Sequence, residues 1–301
     1  MIYHLARDDN SRVLGGSSVQ VALPKDYARR LWRAVIEFEL LAEGDRVLVG
    51  FSGGKDSSFL LYALRALQEQ APFGFELGAV HVELGFREPS DVPQLERYCQ
   101  QLEIPFYLEK TQIAQVAFKQ RQENPCSSCA YFRRAVVNET AVVHGYNKVG
   151  LAHHHDDAVE TFLMSQLYSG KLQTFLPKSH LEKTGLDVIR PLVYLREEKI
   201  KAFMATLAFR PMPSRCPLQG KTHRWKVKEL IHTLTQENPF VYANLAAAMR
   251  GDGLAELWPP VPSKKTMREK HLRVMRPASE EHGSRRTSNA PKGVVFDFHS
   301  Q

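Results

Sequence analysis

The chain has only four cysteines in 301 residues, too few for a disulfide scaffold. Three of them, Cys126, Cys129 and Cys216, lie in positions that suggest metal or redox chemistry instead. No run of about eighteen apolar residues occurs, which argues against a membrane-spanning helix. The stretch Met1 to Asn10 lacks a basic region followed by an apolar one, so it does not read as a secretory signal, and a cytoplasmic location is expected. No internal repeat is present. An acidic excess is also missing. The formal net charge is +7 and the isoelectric point is near 9.2, which favours a polyanionic partner such as nucleic acid over a merely basic enzyme. The 43% hydrophobic and 24% charged residues are those of an ordinary soluble fold with a sizeable core.

The most informative run is Val47-Leu48-Val49-Gly50-Phe51-Ser52-Gly53-Gly54-Lys55-Asp56-Ser57-Ser58. A β-branched apolar strand enters a loop of small residues and leaves as a helix. Such a turn presents bare backbone N–H groups at the positive end of a helix dipole, with a lysine beside them, which suits phosphate. The pattern is neither a Walker A loop nor a GxGxxG turn. The glycines let the chain approach a pyrophosphate closely, and Ser52 and Ser57 supply hydroxyl donors. A plain glycine turn followed by a capped helix is the competing reading, and the directly preceding strand weighs against it.

The pattern along the chain predicts alternating helices and strands. A helix is expected over 24–41, a strand over 46–51, a helix over 56–70 and a strand over 75–84. A helix capped by Ser90-Asp91 is expected to reach Leu102, followed by a strand over 104–108, a helix over 133–145, a strand over 148–152 and a helix over 156–168. This alternation argues for a doubly wound α/β fold with a mostly parallel sheet, and ligands at the C-terminal ends of its strands. Beyond Leu192 the pattern turns helical, over 195–207, 224–236 and 239–250. The expected parts are a lead-in over 1–24, a nucleotide-binding α/β domain over 25–192, a helical part over 193–258 and a basic, poorly ordered tail over 259–301.

Cys126-Ser127-Ser128-Cys129 precedes a helix carrying Arg133 and Arg134, and Cys216 lies far along the chain. Three thiolates suit a 4Fe–4S cluster with one iron left open, whereas a fourth would close a structural zinc site. The fourth cysteine, Cys99, falls inside a predicted helix and reads as a buried structural thiol. The run His153-His154-His155-Asp156-Asp157 falls at a strand end like the phosphate loop. Neighbouring histidines cannot all face one way, so one or two are expected to face the nucleotide.

With these motifs in place, the sequence resembles the tRNA 2-thiocytidine synthetase family of PP-loop N-type ATP pyrophosphatases. The resemblance runs from about Asp26 to Gly251. It rests on Glu43-Gly44-Asp45-Arg46, the loop Ser52 to Ser57, Cys126-x-x-Cys129 with Arg133-Arg134, and the His153 to Asp157 run. Gly170-Lys171, Pro177-Lys178, Ile189-Arg190-Pro191-Leu192, Cys216 and a C-terminal Phe296-Asp297-Phe298 follow in order. There are departures. Ser214 stands where the family often has another cysteine, His155 replaces an arginine, and the segment 259–292 is longer and more basic.

The resemblance implies an adenine nucleotide alpha hydrolase-like fold with a C-terminal helical extension. It implies ATP and Mg²⁺ over Ser52, Gly53, Gly54, Lys55, Asp56 and Ser57, with His153, Asp156 and Asp157 nearby and the two aspartates holding Mg²⁺. Lys55, Asp56 and the cluster cysteines Cys126, Cys129 and Cys216 would carry the chemistry. The implied reaction adenylates the C2 oxygen of a cytidine in the anticodon loop (position 32), and sulfur then displaces AMP. Arg133, Arg134, Lys171 and Lys178 become candidates for the tRNA backbone. The implied partners are tRNA, a sulfur donor such as a cysteine desulfurase, and a second copy in a homodimer, with no membrane. A uridine thiolase and a non-catalytic RNA-binding or sulfur-carrier protein remain as alternatives. Lysidine synthesis needs no cysteines, so the three thiols speak against it.

Overall fold

Strand β1 (Arg46–Gly50) is buried along Val47, Leu48 and Val49, and its side chains alternate between two cores. Val47 and Val49 join the larger core with α1 (Lys25–Phe38) and α2 (Lys55–Gln70), while Leu48 joins a smaller one with α5 (Pro125–Val143). A strand covered on both faces must read as an unbroken apolar run, as this one does. The computed structural model describes residues 21–119, 125–251 and 256–276. The chain continues with β2 (Glu76–Glu83), α3 (Val92–Gln101), β3 (Phe106–Lys110), α4 (Ile113–Lys119), β4 (Lys148–Gly150) and α6 (His155–Ser169). A hairpin of β5 (Lys178–Leu181) and β6 (Leu186–Ile189) follows, then α7 (Glu197–Met204), α8 (His223–Glu237), α9 (Val241–Ala248) and α10 (Lys264–Met275).

The sheet order is β3-β2-β1-β4-β6-β5, parallel except for the edge strand β5. Leu48 of β1 lies opposite Gly78 of β2 on one side and Val149 of β4 on the other. The chain therefore builds outward from β1 in one direction and returns to its other side at β4. That reversal leaves a crevice above the C-terminal ends of β1 and β4. The phosphate loop leaves β1 there, and His153 to Asp157 leave β4 there.

Local chemistry sets the element ends. The Asp91 carboxylate accepts from the Gln94 amide at 3.1 Å and starts α3. Gly170, at φ +61°, closes α6 in the left-handed conformation open to glycine.

Four differences from the sequence reading stand out. Helix α5 begins at Pro125, so Cys126 and Cys129 are helical rather than in a lead-in loop. Helix α4 and the β5–β6 hairpin had no predicted counterpart; each hairpin strand has only four residues, too short for an alternation to register. The expected poorly ordered tail is corrected in part: α10 docks on α1, where the Lys270 amine donates to the Glu37 carbonyl at 2.6 Å. Met267, Val274 and Met275 pack against the main core, and the many basic residues around them hid that sparse apolar stripe. The lead-in over 1–20, the end of the tail over 277–301 and Phe296-Asp297-Phe298 lie outside the described residues.

The C-terminal part shares the main core through Val227 and Ile231 of α8, Met249 just past α9, and Leu257 and Trp258 before α10. Among the described residues, no helix is long and apolar enough to cross a membrane.

Candidate active site

Gly53 has φ +77°, which lets the chain turn from β1 into α2, and Gly54 caps the helix in an extended conformation. The Ser52 and Ser57 hydroxyls meet at 3.0 Å, and Ser57 also donates to the Gly54 carbonyl at 3.1 Å. These bonds hold the loop open over the first amides of a sixteen-residue helix. Such an arrangement suits a phosphate group.

Lys55 is the loop's cation, and it is held by two carboxylates. Its amine lies 2.7 Å from Asp56 and 3.0 Å from Glu197 of α7. Burial alone would lower this amine, but Asp56 and Glu197 override burial and raise it. Glu197 is also paired with Lys228 of α8 and with Lys201 at 3.1 Å. Burial works against ionisation of Glu197, yet hydrogen bonds from Lys228, Lys55 and Lys201 hold its carboxyl well below the usual glutamate range. Beside this network lies a cavity of about 210 Å³, lined among others by Lys55, Asp56, His154, Glu160, Arg224 and Lys228. Burial, reinforced by the Asp157 charge, pushes the Glu160 carboxyl up to about 7, despite Arg224 at 3.6 Å.

The three histidines take separate roles. His154 is buried and caps α6: its ring accepts from the Asp157 amide at 3.4 Å, and Asp157 accepts from the His154 amide at 3.0 Å. Its Nε2 lies 3.8 Å from Asp56, so His154 is the histidine that lines the cavity. His155 bonds the Tyr242 hydroxyl at 2.6 Å. His153 packs on Phe175 at 5.0 Å between ring centres, and its sealed Nδ1 has no partner. Burial lowers its pKa to about 3, so it stays neutral near pH 7.

Asp156 and Asp157 are occupied by protein partners. Asp156 takes Arg196 at 2.9 Å and the Glu197 amide at 2.7 Å. Asp157 pairs with Arg224 at 3.2 Å besides its capping role. The carboxylate oxygen that lacks a partner is Oδ1 of Asp56, which is buried.

Cys126 and Cys129 lie at the start of α5, and both are half-buried, as is Cys216. Burial pushes the Cys126 and Cys129 thiols up, and each also feels the charge of Cys216, which places the three in one neighbourhood. Among the described residues, no three His, Cys, Asp or Glu side chains are gathered at metal-binding spacing, so the three thiols are neighbours rather than a closed ligand set. Cys99 is buried in α3, and its thiol is pushed far up by burial. The segment that carries Cys216 hangs from the phosphate loop: the Met212 amide donates to the Gly53 carbonyl at 2.9 Å. Gln94 of α3 holds the Arg210 carbonyl at 2.9 Å, which fixes the same segment from a second side.

A PP-loop domain profile matches residues 25–210. A curated relative, the tRNA-cytidine(32) 2-sulfurtransferase of Citrifermentans bemidjiense, is 36% identical over 225 residues, covering 73% of this chain and 88% of that protein. The chain belongs to the PP-loop family of tRNA-cytidine(32) 2-sulfurtransferases. The relative of the same name from Anaeromyxobacter sp. (strain Fw109-5) is 37% identical over 232 residues, covering 75% of this chain and 76% of that protein. A solved structure, the U34-tRNA thiolase NcsA from Methanococcus maripaludis with its 4Fe-4S cluster, superposes with a TM-score of 0.61 at 21% identity, over 74% of this chain and 76% of that one. At that identity the likeness establishes a shared fold.

In this sulfurtransferase-family chain the four candidate basic residues divide. Arg133 and Arg134 are exposed on α5, and among the described residues neither has a carboxylate within ion-pair distance. The Arg133 charge acts on both Cys129 and the buried His153, so that turn of α5 lies near the start of the His153 to Asp157 run. Lys171 is exposed beyond the end of α6. Lys178 is tied to Asp187 at 3.2 Å and to the Glu39 carbonyl at 3.3 Å, and so is committed to the fold.

Sequence reasoning missed Glu160, Glu197, Arg224 and Lys228. Glu160 lies one helical turn beyond Asp156 and Asp157, so helical spacing could have found it. Glu197, Arg224 and Lys228 are far from the motifs in sequence and carry no local signal.

Proposed function

We propose that this chain is an ATP-dependent tRNA-cytidine 2-sulfurtransferase. The observation that carries the reading is the bond from Met212 to Gly53, which joins the phosphate loop to the segment bearing Cys216. A loop that binds ATP and a thiol group that handles sulfur then act on one base.

ATP sits with its phosphates over the amides of Ser52 to Ser57 and the start of α2. Lys55 turns from Asp56 and Glu197 toward the phosphates, and the two carboxylates keep it charged until then. The buried, partnerless oxygen of Asp56 fits a hard cation such as the Mg²⁺ that accompanies ATP. The cytidine C2 oxygen attacks the α-phosphate, pyrophosphate leaves, and the base is adenylated. Sulfur then forms its bond to C2 as the C2–O bond breaks and AMP departs with the oxygen. Lys55 and the helix start stabilise the charge that develops on phosphorus.

The donor set of Cys126, Cys129 and Cys216 fits a 4Fe–4S cluster with one iron free of protein ligands, which supplies sulfur when bound. Closing that set requires the thiols to draw together and lose their protons, against the burial that raises Cys126 and Cys129. Each turnover consumes one sulfur, so a donor such as a cysteine desulfurase completes the cycle. The reading places the enzyme in the cytoplasm, where tRNA is modified.

The test is an anaerobic reaction. The chain, reconstituted with iron and sulfide, is mixed with ATP and an anticodon stem–loop RNA carrying cytidine 32. The expected products are AMP, pyrophosphate and 2-thiocytidine by mass spectrometry. Thiolation of a uridine in the same loop, with cytidine untouched, contradicts the reading.

A further inference from the structure

We propose that Tyr131 and Phe132 on α5 form a stacking platform for an unpaired nucleobase that flanks the target cytidine. The proposal rests on the tRNA reading above.

Two aromatic rings stand side by side on the solvent face of α5. Tyr131 is 64% exposed and Phe132 37% exposed, with ring centres 5.5 Å apart at 74°. Aromatic rings in water forgo the burial that usually stabilises them, and a contiguous exposed apolar pair often marks a binding surface. Their position narrows the occupant. Cys129 lies two residues before Tyr131, and Phe132 falls one turn on from Cys129. The next two residues are Arg133 and Arg134, exposed and without a carboxylate at ion-pair distance among the described residues. Arg133 is close enough for its charge to act on the Cys129 thiol and on the buried ring of His153, the neighbour in sequence of the cavity-lining His154.

An exposed ring face with a second ring standing edge-on beside it, bordered by guanidinium groups that have no carboxylate partner among the described residues, matches one chemistry well: a nucleotide, with its base on the Tyr131 face and its phosphate against the arginines. The chain's formal charge of +7 favours such a partner over a second copy of itself. Enzymes that act on a base must draw it out of its stack, and an aromatic face can hold the neighbour left behind. Stacking accepts any base, so this surface positions the loop and does not read its sequence.

The test measures binding of a fluorescein-labelled anticodon stem–loop RNA and of the same sequence closed into a duplex, at one fixed salt concentration. Tyr131→Ala is expected to weaken loop binding about tenfold, with duplex binding changed by less than about twofold. Tyr131→Trp keeps wild-type affinity, Phe132→Ala falls in the direction of Tyr131→Ala, and the unfolding temperature and ATP affinity of all three match wild type. Unchanged loop binding in Tyr131→Ala, equal losses for loop and duplex, or a shift in oligomeric state by light scattering overturns the platform. A wild-type chain that binds no loop RNA contradicts the tRNA reading itself. A wild-type chain that binds the loop and fails to thiolate it contradicts the proposed reaction while leaving the platform intact.

Discussion

The Met212 amide and the Gly53 carbonyl are joined by a hydrogen bond of 2.9 Å. Gly53 is part of the loop that would hold pyrophosphate, and Met212 belongs to the segment that carries Cys216. The contact is tight: a Cβ on Gly53 would come within 2.5 Å of the Met212 methyl and 2.7 Å of Leu95. The two halves of the proposed reaction are therefore packed against each other at this point.

Gly53→Ala and Gly54→Ala should separate for this reason. Gly53 combines φ +77° with crowding by Met212 and Leu95, so alanine there should cost about 1–3 kcal/mol and lower the unfolding temperature by several degrees. Gly54 has no positive φ, and its added Cβ would meet only the Ser52 hydroxyl at 3.5 Å, so Gly54→Ala should fold normally. Both should bind ATP more weakly. Thermal unfolding with and without ATP checks both outcomes; equal stability of the two variants contradicts the packing argument.

Glu197→Gln removes the carboxylate that gathers Lys55, Lys201 and Lys228. Glu197 has a lowered carboxyl pKa in the folded chain, so its stabilisation is present above the unfolded glutamate range and is lost as pH falls below it. Charged hydrogen bonds suggest a loss of about 1–2 kcal/mol at pH 7, reduced because Lys201 and Lys228 are solvated. The gap between variant and wild type should narrow below about pH 4 in denaturant titrations. A gap independent of pH contradicts the ionised role.

Much of the fold was legible because its signals are local. Val47 to Val49 read as a buried strand since both faces are covered, and Asp91 reads as a cap since its carboxylate does cap α3. The hairpin of β5 and β6 was hidden by its short strands, and α10 by the basic residues around its three core contacts. At the site, the loop motif exposed Ser52 to Ser57, whereas Glu197, Arg224 and Lys228 reach the crevice through tertiary packing alone. The His153 to Asp157 run announced a site without saying which side chain faces it. Burial assigns the cavity wall to His154, and capping engages Asp157.

Glu160 gives the opposite pH signature from Glu197. Its folded pKa of about 7 lies above the ordinary glutamate value of 4.5, so its stabilising protonated form is fully present below 4.5 and is lost as pH rises through about 7. Wild-type stability should therefore decline over that window by up to about 3 kcal/mol from this group. Glu160→Gln should flatten the decline and be the more stable protein at pH 8. Urea titrations across the window measure it, and an unaltered slope in the variant rules out Glu160 as the source.

Arg250→Ala should be strongly destabilising. Arg250 pairs with the buried Glu37 at 3.0 Å, contacts the Tyr194 hydroxyl and lies over the Trp258 ring at 5.4 Å. Removing it leaves a buried carboxylate supported by Tyr194 at 2.7 Å and by Arg33 at 3.5 Å. A cost of about 2–4 kcal/mol is expected in chemical denaturation. Glu37→Gln with Arg250→Ala should recover part of it, and no recovery contradicts the charge-pair origin.

The most direct measurement is nucleoside mass spectrometry of tRNA from a strain that lacks this gene, carrying either the wild-type gene, Cys216→Ala or Cys99→Ala. The account predicts that 2-thiocytidine vanishes in the deletion, returns with the wild type and with Cys99→Ala, and stays absent with Cys216→Ala. Persistence of 2-thiocytidine in the deletion strain, or its full recovery with Cys216→Ala, contradicts the account.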